Sequence, residues 1–128
     1  MTSADQIGEN KSVGKCGEEI AVAYLKAQKY SIIDRNYRCI CGELDIVAKD
    51  GKTVVFVEVK ARRGLSYGPP QLSVTQFKQR QISKAALVYM SAKRISDAAA
   101  RFDVIAIYLH RKQGPRIDHI KNAFDLTY

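Results

Sequence analysis

The sequence predicts an α/β domain with a mixed β-sheet flanked by helices, its elements ordered α-β-β-β-α-β-β. Three observations carry that reading. An apolar stripe at helical spacing runs from about Gly14 to Gln28. Two stretches rich in Val, Ile and Phe flank an Asp50-Gly51 turn signal. A second helical stretch is followed by two further apolar strands. At 128 residues, 46% of them hydrophobic, the chain is sized for one domain with a respectable core.

The elements follow in order. Residues 1–12 are polar, lack an apolar signal-peptide segment and read as a flexible tail, which leaves 13–128 as a single domain. In the first helix Ile20, Ala21, Tyr24, Leu25 and Ala27 share one broad arc at ~100° per residue. Lys15, Glu19 and Lys26 share the solvated side, while Glu18 sits at the border beside Val22 and Leu25. That is an odd place for an uncommitted carboxylate. A short strand is expected at Ser31–Asp34, then Asn36 and a longer strand to Ala48, then the strand Thr53–Ala61. Gly64–Pro70 reads as a loop. Ser73-x-x-Gln76 resembles a capping box that opens a helix to about Ser91. Phe102–Leu109 and Arg116–Lys121 are the last strands, separated by a Gly114-Pro115 turn.

Composition narrows the function classes. No apolar run is long enough to cross a bilayer, so the expectation is a soluble cytoplasmic protein. The formal charge of +8, from 21 Lys and Arg against 13 Asp and Glu, suits a polyanionic partner only a little better than a plain basic surface. The basic residues cluster: Lys60, Arg62 and Arg63 along one strand, Lys78, Arg80 and Lys84 in the second helix, and His110, Arg111 and Lys112 at a later turn. Cys16, Cys39 and Cys41 are an odd number with no secretory signal, which argues against a disulfide framework. Cys39-x-Cys41 has no second pair to complete a zinc site. Phosphate-loop, dinucleotide-binding and serine-triad patterns are absent.

The chemistry gathers at the hairpin. With Asp50 and Gly51 as its loop residues, Lys49 faces Lys52, Val47 faces Val54, Asp45 faces Phe56 and Glu43 faces Glu58. Side chains alternate, so Glu43, Asp45, Glu58 and Lys60 share one sheet face, and Leu44, Ile46, Val55, Val57 and Val59 the other. Asp45 and Glu58 are then diagonal neighbours roughly 7–8 Å apart at the backbone. The strand Thr53–Val59 is hydrophobic on both faces and reads as central, where charges are seldom left without a partner. Three carboxylates there repel one another unless a cation joins them, and hard oxygen ligands suit Mg²⁺ or Mn²⁺. Lys60 adds a group able to orient water and neutralise charge on a phosphate. A structural ion pair of Lys60 with Glu58 or Asp45 competes with this reading on equal terms from spacing alone.

Asp45 followed by Glu58-Val59-Lys60 resembles the PD-(D/E)XK nuclease signature, with Leu44 where the motif's name places Pro. Gly14-x-x-Gly17-Glu18-x-x-Ala21, Gly42-Glu43-Leu44-Asp45-Ile46-Val47, Phe56-Val57-Glu58-Val59-Lys60-Ala61-Arg62 and Arg101-Phe102-Asp103-Val104 together resemble the YraN-like family, which is similar to archaeal Holliday-junction resolvases. The resemblance spans about Gly14 to Phe124. It implies a restriction-endonuclease-like core and a metal-dependent endonuclease acting on DNA, with branched DNA as a candidate substrate. It implies that Asp45 and Glu58 bind Mg²⁺ or Mn²⁺ with the Val59 carbonyl, that Lys60 positions water, and that Glu18 completes or orients the metal shell. Glu43 matches a motif residue without an assigned role. Resolvase-like relatives act as dimers, because two symmetric cuts need two sites, so a homodimer is implied.

Arg62 and Arg63 are placed for DNA backbone contact, and Lys78 matches a lysine the family favours. Lys78, Arg80 and Lys84 could equally form a solvated helix face. Tyr67 could stack on a base, with loop packing as the alternative. Arg101 and Asp103 read as a structural ion pair. The rival to catalysis is a nucleic-acid-binding module that keeps the nuclease-like fold without turnover.

Overall fold

A computed structural model describes residues 3–63, 74–109 and 114–127. Tyr67, Ser73, His110, Arg111 and Lys112 lie outside the described residues. The elements are α1 (Ser3–Ala27), β1 (Ser31–Cys39), β2 (Gly42–Asp50), β3 (Thr53–Arg62), α2 (Gln76–Ala92), β4 (Ala100–Tyr108) and β5 (Arg116–Phe124). The expected order of elements is the observed one. The strands form one five-stranded sheet in the order β1-β2-β3-β4-β5. Neighbours pair antiparallel except β3 and β4, which are parallel and joined through α2.

The two helices cover opposite faces. Ala21, Val22 and Leu25 of α1 pack on Ile46, Val55, Val57, Ile105 and Ile107. Ile82, Ala85, Ala86 and Tyr89 of α2 pack on Leu44, Val47, Val54, Phe56 and Val104. β3 is therefore buried on both sides, as its unbroken Val and Phe content requires. Among the described residues no helix is long and apolar enough to cross a membrane.

Three boundaries differ from expectation. α1 begins at Ser3, not near Gly14. The apolar arc begins only near Gly14, whereas residues 3–13 contain no proline to stop a helix from starting earlier. β1 continues through Asn36 to Cys39, and the chain reverses at Ile40 and Cys41, a turn whose one signal, Gly42, follows its two central residues. α2 is capped by Thr75, whose Oγ1 accepts from the Lys78 amide at 3.2 Å, so the capping residue lies two positions beyond Ser73.

The β2–β3 register also differs. Asp50 pairs with Thr53 and Lys49 with Val54, leaving Gly51 and Lys52 as the loop. Gly51 stands at φ 62°, a positive φ at the first loop position, the demand of a type II′-like hairpin. The shift preserves which side chains share a face but exchanges their partners. The paired register ends at Ile46 and Val57, so Asp45 and Glu58 are the next pair outward, directly opposite instead of diagonal.

Candidate active site

Glu58 belongs to a strand covered on both faces, faces α2 and is only 7% exposed. Asp45 stands beside it on β2. The ladder gives way at this point: Oδ2 of Asp45 accepts from the Val59 amide at 2.9 Å, which pins the carboxylate against β3. Burial pushes the Glu58 carboxyl up to about 8, with the charge of Asp45 and a hydrogen bond between the two side chains adding to the shift. Lys78 and Lys60 oppose it. A carboxylic acid that keeps its proton near neutrality is one whose anion lacks sufficient compensation.

The β1–β2 hairpin turns over beside Asp45. Arg35 pairs with Ile46, and Tyr37 with Leu44. Regular alternation would keep all four on one face. Instead Ile46 packs under α1 while Arg35 reaches Glu19 of α1 at 2.7 Å. Tyr37 and Leu44 pack under α2, with the Tyr37 and Tyr89 rings edge to face. The expectation that Leu44 shares a face with Ile46 and Val57 is corrected by this inversion, which falls at the intervening pair Asn36 and Asp45.

Glu18 approaches from α1. Burial raises its proton affinity, and the charges of Asp45 and Glu43 raise it further, so the three carboxyls lie within electrostatic reach of one another. α1 comes this close because Gly17 has no side chain: a Cβ there would sit 2.6 Å from the Cβ of Ala61 on β3. Glu43 also lies 3.7 Å from Arg38. Asn36 stands between Glu18 and Glu43. With its amide nitrogen turned towards them, it donates to Glu18 Oε1 at 2.9 Å and to Glu43 Oε1 at 3.2 Å.

Lys60 follows Glu58 by two residues on β3 and is half-buried. Arg62 is also half-buried, donating from Nη1 to the Ala61 carbonyl at 3.2 Å, and Arg63 is exposed just beyond the strand. Lys78, expected to contact nucleic acid, lies in the first turn of α2 with its charge acting on Glu58. Among the described residues no three acidic, His or Cys side chains already form a closed metal cage. The arrangement is a graded one, an inner pair of Asp45 and Glu58 with Glu18 and Glu43 outside it.

Two features escaped the sequence. Asn36 marked only a break between strands, although its tolerance of left-handed backbone was a usable signal. The other is a buried network away from the hairpin. Arg101 and Asp103 do form an ion pair, at 3.0 Å, and His119 Nε2 adds a second partner to Asp103 at 2.7 Å. A cavity of about 250 Å³ lined by Phe56, Met90, Phe102 and Phe124 lies apart from the carboxylates; its lining offers no grouped acids.

The profile of a family described as "Uncharacterised protein family UPF0102" matches residues 17–107. A UPF0102 protein of Geotalea uraniireducens is 60% identical over 128 residues, covering 100% of both chains. Another, of Geobacter sulfurreducens, is 61% identical over 119 residues and 93% of each chain. A solved structure of Pyrococcus furiosus SfsA in complex with Ca²⁺ is 17% identical with a TM-score of 0.39, over 88% of this chain and 63% of that one. A likeness that distant carries no argument.

Proposed function

We propose that this chain, which belongs to the UPF0102 family, is a divalent-cation-dependent nuclease that hydrolyses phosphodiester bonds in DNA. One observation carries the reading: a buried carboxyl, Glu58, facing the half-buried Asp45, with Lys60 two residues beyond Glu58 on the same strand. Two carboxyls at this separation repel unless a proton or a cation joins them. The proton affinity of Glu58 marks where positive charge is wanted. The donors are all hard oxygens, which fit Mg²⁺ or Mn²⁺. Asp45 and Glu58 would hold the ion, with Glu18 completing or orienting its shell.

Such an ion, when bound, supplies Lewis-acid stabilisation of a phosphoryl oxygen and acidifies water. The chain's own groups supply the rest. The Val59 amide fixes one oxygen of Asp45 and so orients the other. Lys60 donates to water or phosphate and neutralises charge that builds during attack. Lys78 compensates Glu58 from the helix side. Arg62 and Arg63 continue β3 outward to meet the DNA backbone, and the net charge of +8 favours that approach. A DNA substrate places the work in the cytoplasm. Branched DNA is the form to offer first, and two symmetric cuts would call for a second copy of the chain.

The test is a cleavage panel of linear, flapped and four-way DNA with Mg²⁺ or Mn²⁺. At least one form should be cut, and Asp45→Ala or Glu58→Ala should abolish cutting. Undiminished cutting by both variants would overturn the site. Salt-sensitive DNA binding by the natural chain with no cutting of any form would make it a binding module instead.

A further inference from the structure

β1 contains one residue in the left-handed region, Asn36 at φ 52°, and it stands opposite Asp45. Asparagine enters this region at modest cost because its short polar side chain bonds locally; β-branched and bulky residues do not. One left-handed residue inside a strand rotates the chain beyond it. That accounts for Arg35 and Ile46 turning to α1 while Tyr37 and Leu44 turn to α2. Asp45, at the pivot, keeps the face of Val47 and meets β3 through the Val59 amide.

The side chain of Asn36 acts on the same site. It bridges Glu18 on α1 and Glu43 on β2, two like charges from separate elements. An amide between two carboxylates must present its nitrogen, since its oxygen would face only acceptors. Both N–H groups are then used, one for each glutamate. Without the bridge, repulsion would send Glu43 towards Arg38, 3.7 Å away, and leave Glu18 to turn into solvent.

We infer that Asn36 is the positioning residue of the site: its amide holds Glu18 and Glu43 beside the Asp45 and Glu58 pair, while its left-handed backbone carries Tyr37 and Leu44 away to α2. This rests on reading the carboxylates as a cation site. Asn36 need not touch the ion, because a group that orients ligands contributes through their geometry.

Two measurements on the full chain decide it. The first is metal-free: the Asn36 side-chain NH₂ signals in an NMR spectrum should move in both Glu18→Ala and Glu43→Ala. Signals indifferent to both replacements would overturn the bridge. The second is Mn²⁺ titration calorimetry of the natural chain and Asn36→Gly. Glycine accepts φ 52° freely, so this variant keeps the backbone and deletes only the amide. Its Tm should stay close to that of the natural chain while Mn²⁺ binding weakens roughly ten- to a hundredfold. Asn36→Ala, which also strains the backbone, should lose more. Equal Mn²⁺ affinity in the natural chain and Asn36→Gly would overturn the positioning role while leaving the cation site standing. No Mn²⁺ binding by the natural chain would overturn the cation site, and the positioning role with it.

Discussion

At Glu58 burial and a neighbouring carboxylate act against the charge of one carboxyl. Its ordinary value is 4.5, and burial with the neighbouring Asp45 raises it to about 8. Between those values the folded chain keeps a proton that the unfolded chain has released, so stability falls as pH rises. The contribution is complete below about pH 4.5 and lost as pH passes 8. Metal-free thermal unfolding from pH 5 to pH 8 should therefore show a decline in Tm that Glu58→Gln flattens, on the order of a few kcal/mol at the upper end. Saturating Mn²⁺ should flatten it too, because a cation replaces the proton. An identical slope in Glu58→Gln would show that another group titrates. That Asp45 and Glu58 share a face was legible from a period-two count, since a register error of one pair changes partners and not faces; that Leu44 lies on the α2 face was not. Nor was the partner of Glu58. It depended on which two of Asp50, Gly51 and Lys52 form the loop, and both choices satisfy the turn chemistry.

The first helix shows what one element must give up to deliver a side chain. Glycine in mid-helix costs about 1 kcal/mol relative to alanine, yet Gly17 stands there with its Cα against Ala61 of β3. Gly17→Ala should raise helix propensity and still destabilise the protein, by about 1–3 kcal/mol, because a Cβ 2.6 Å from Ala61 must be relieved by moving helix or strand. Glu18 moves with it, so Mn²⁺ binding should fall beyond what the loss of stability explains. Thermal unfolding and metal titration on the same variant check both halves, and an unchanged Tm would show that α1 is free to shift. The existence of α1, β3 and α2 was legible because the helices carry a helical apolar period and β3 an unbroken apolar run after a turn signal. The extension of α1 to Ser3 was not, since residues 3–13 carry no apolar period, nor was the reversal at Ile40 and Cys41, whose one signal, Gly42, follows the two turn residues. The inversion at Asn36 is harder still: it depends on two strands rotating together, which no window along one strand reports.

Across the whole molecule two acidic centres have opposite characters. Asp103 is fully buried, and burial alone would raise its proton affinity. Hydrogen bonds from His119, Arg101 and the Asn122 amide outweigh that and hold its carboxyl below the usual range. Since its Nε2 faces the carboxylate, His119 carries its proton there and its Nδ1 accepts from the Tyr24 hydroxyl at 3.1 Å. Arg101 extends the network to Tyr30 at 2.6 Å and Asp50 at 3.0 Å. One carboxylate thus ties α1, the end of β2, β4 and the edge strand β5 together. Removing it strands an arginine and a histidine around the vacancy, which costs about 3–5 kcal/mol. Asp103→Ala should lower Tm by about 10 °C or more. The hairpin acids should behave in the reverse sense. Asp45→Asn and Glu58→Gln relieve repulsion that no protein group fully compensates, so at pH 8 and without metal both should melt higher than the natural chain. A single melting series over these three variants separates the acid that holds the fold from the acids held in readiness for a cation. If Asp45→Asn destabilised as much as Asp103→Ala, the hairpin pair would belong to the scaffold, and the cation reading would lose its physical basis.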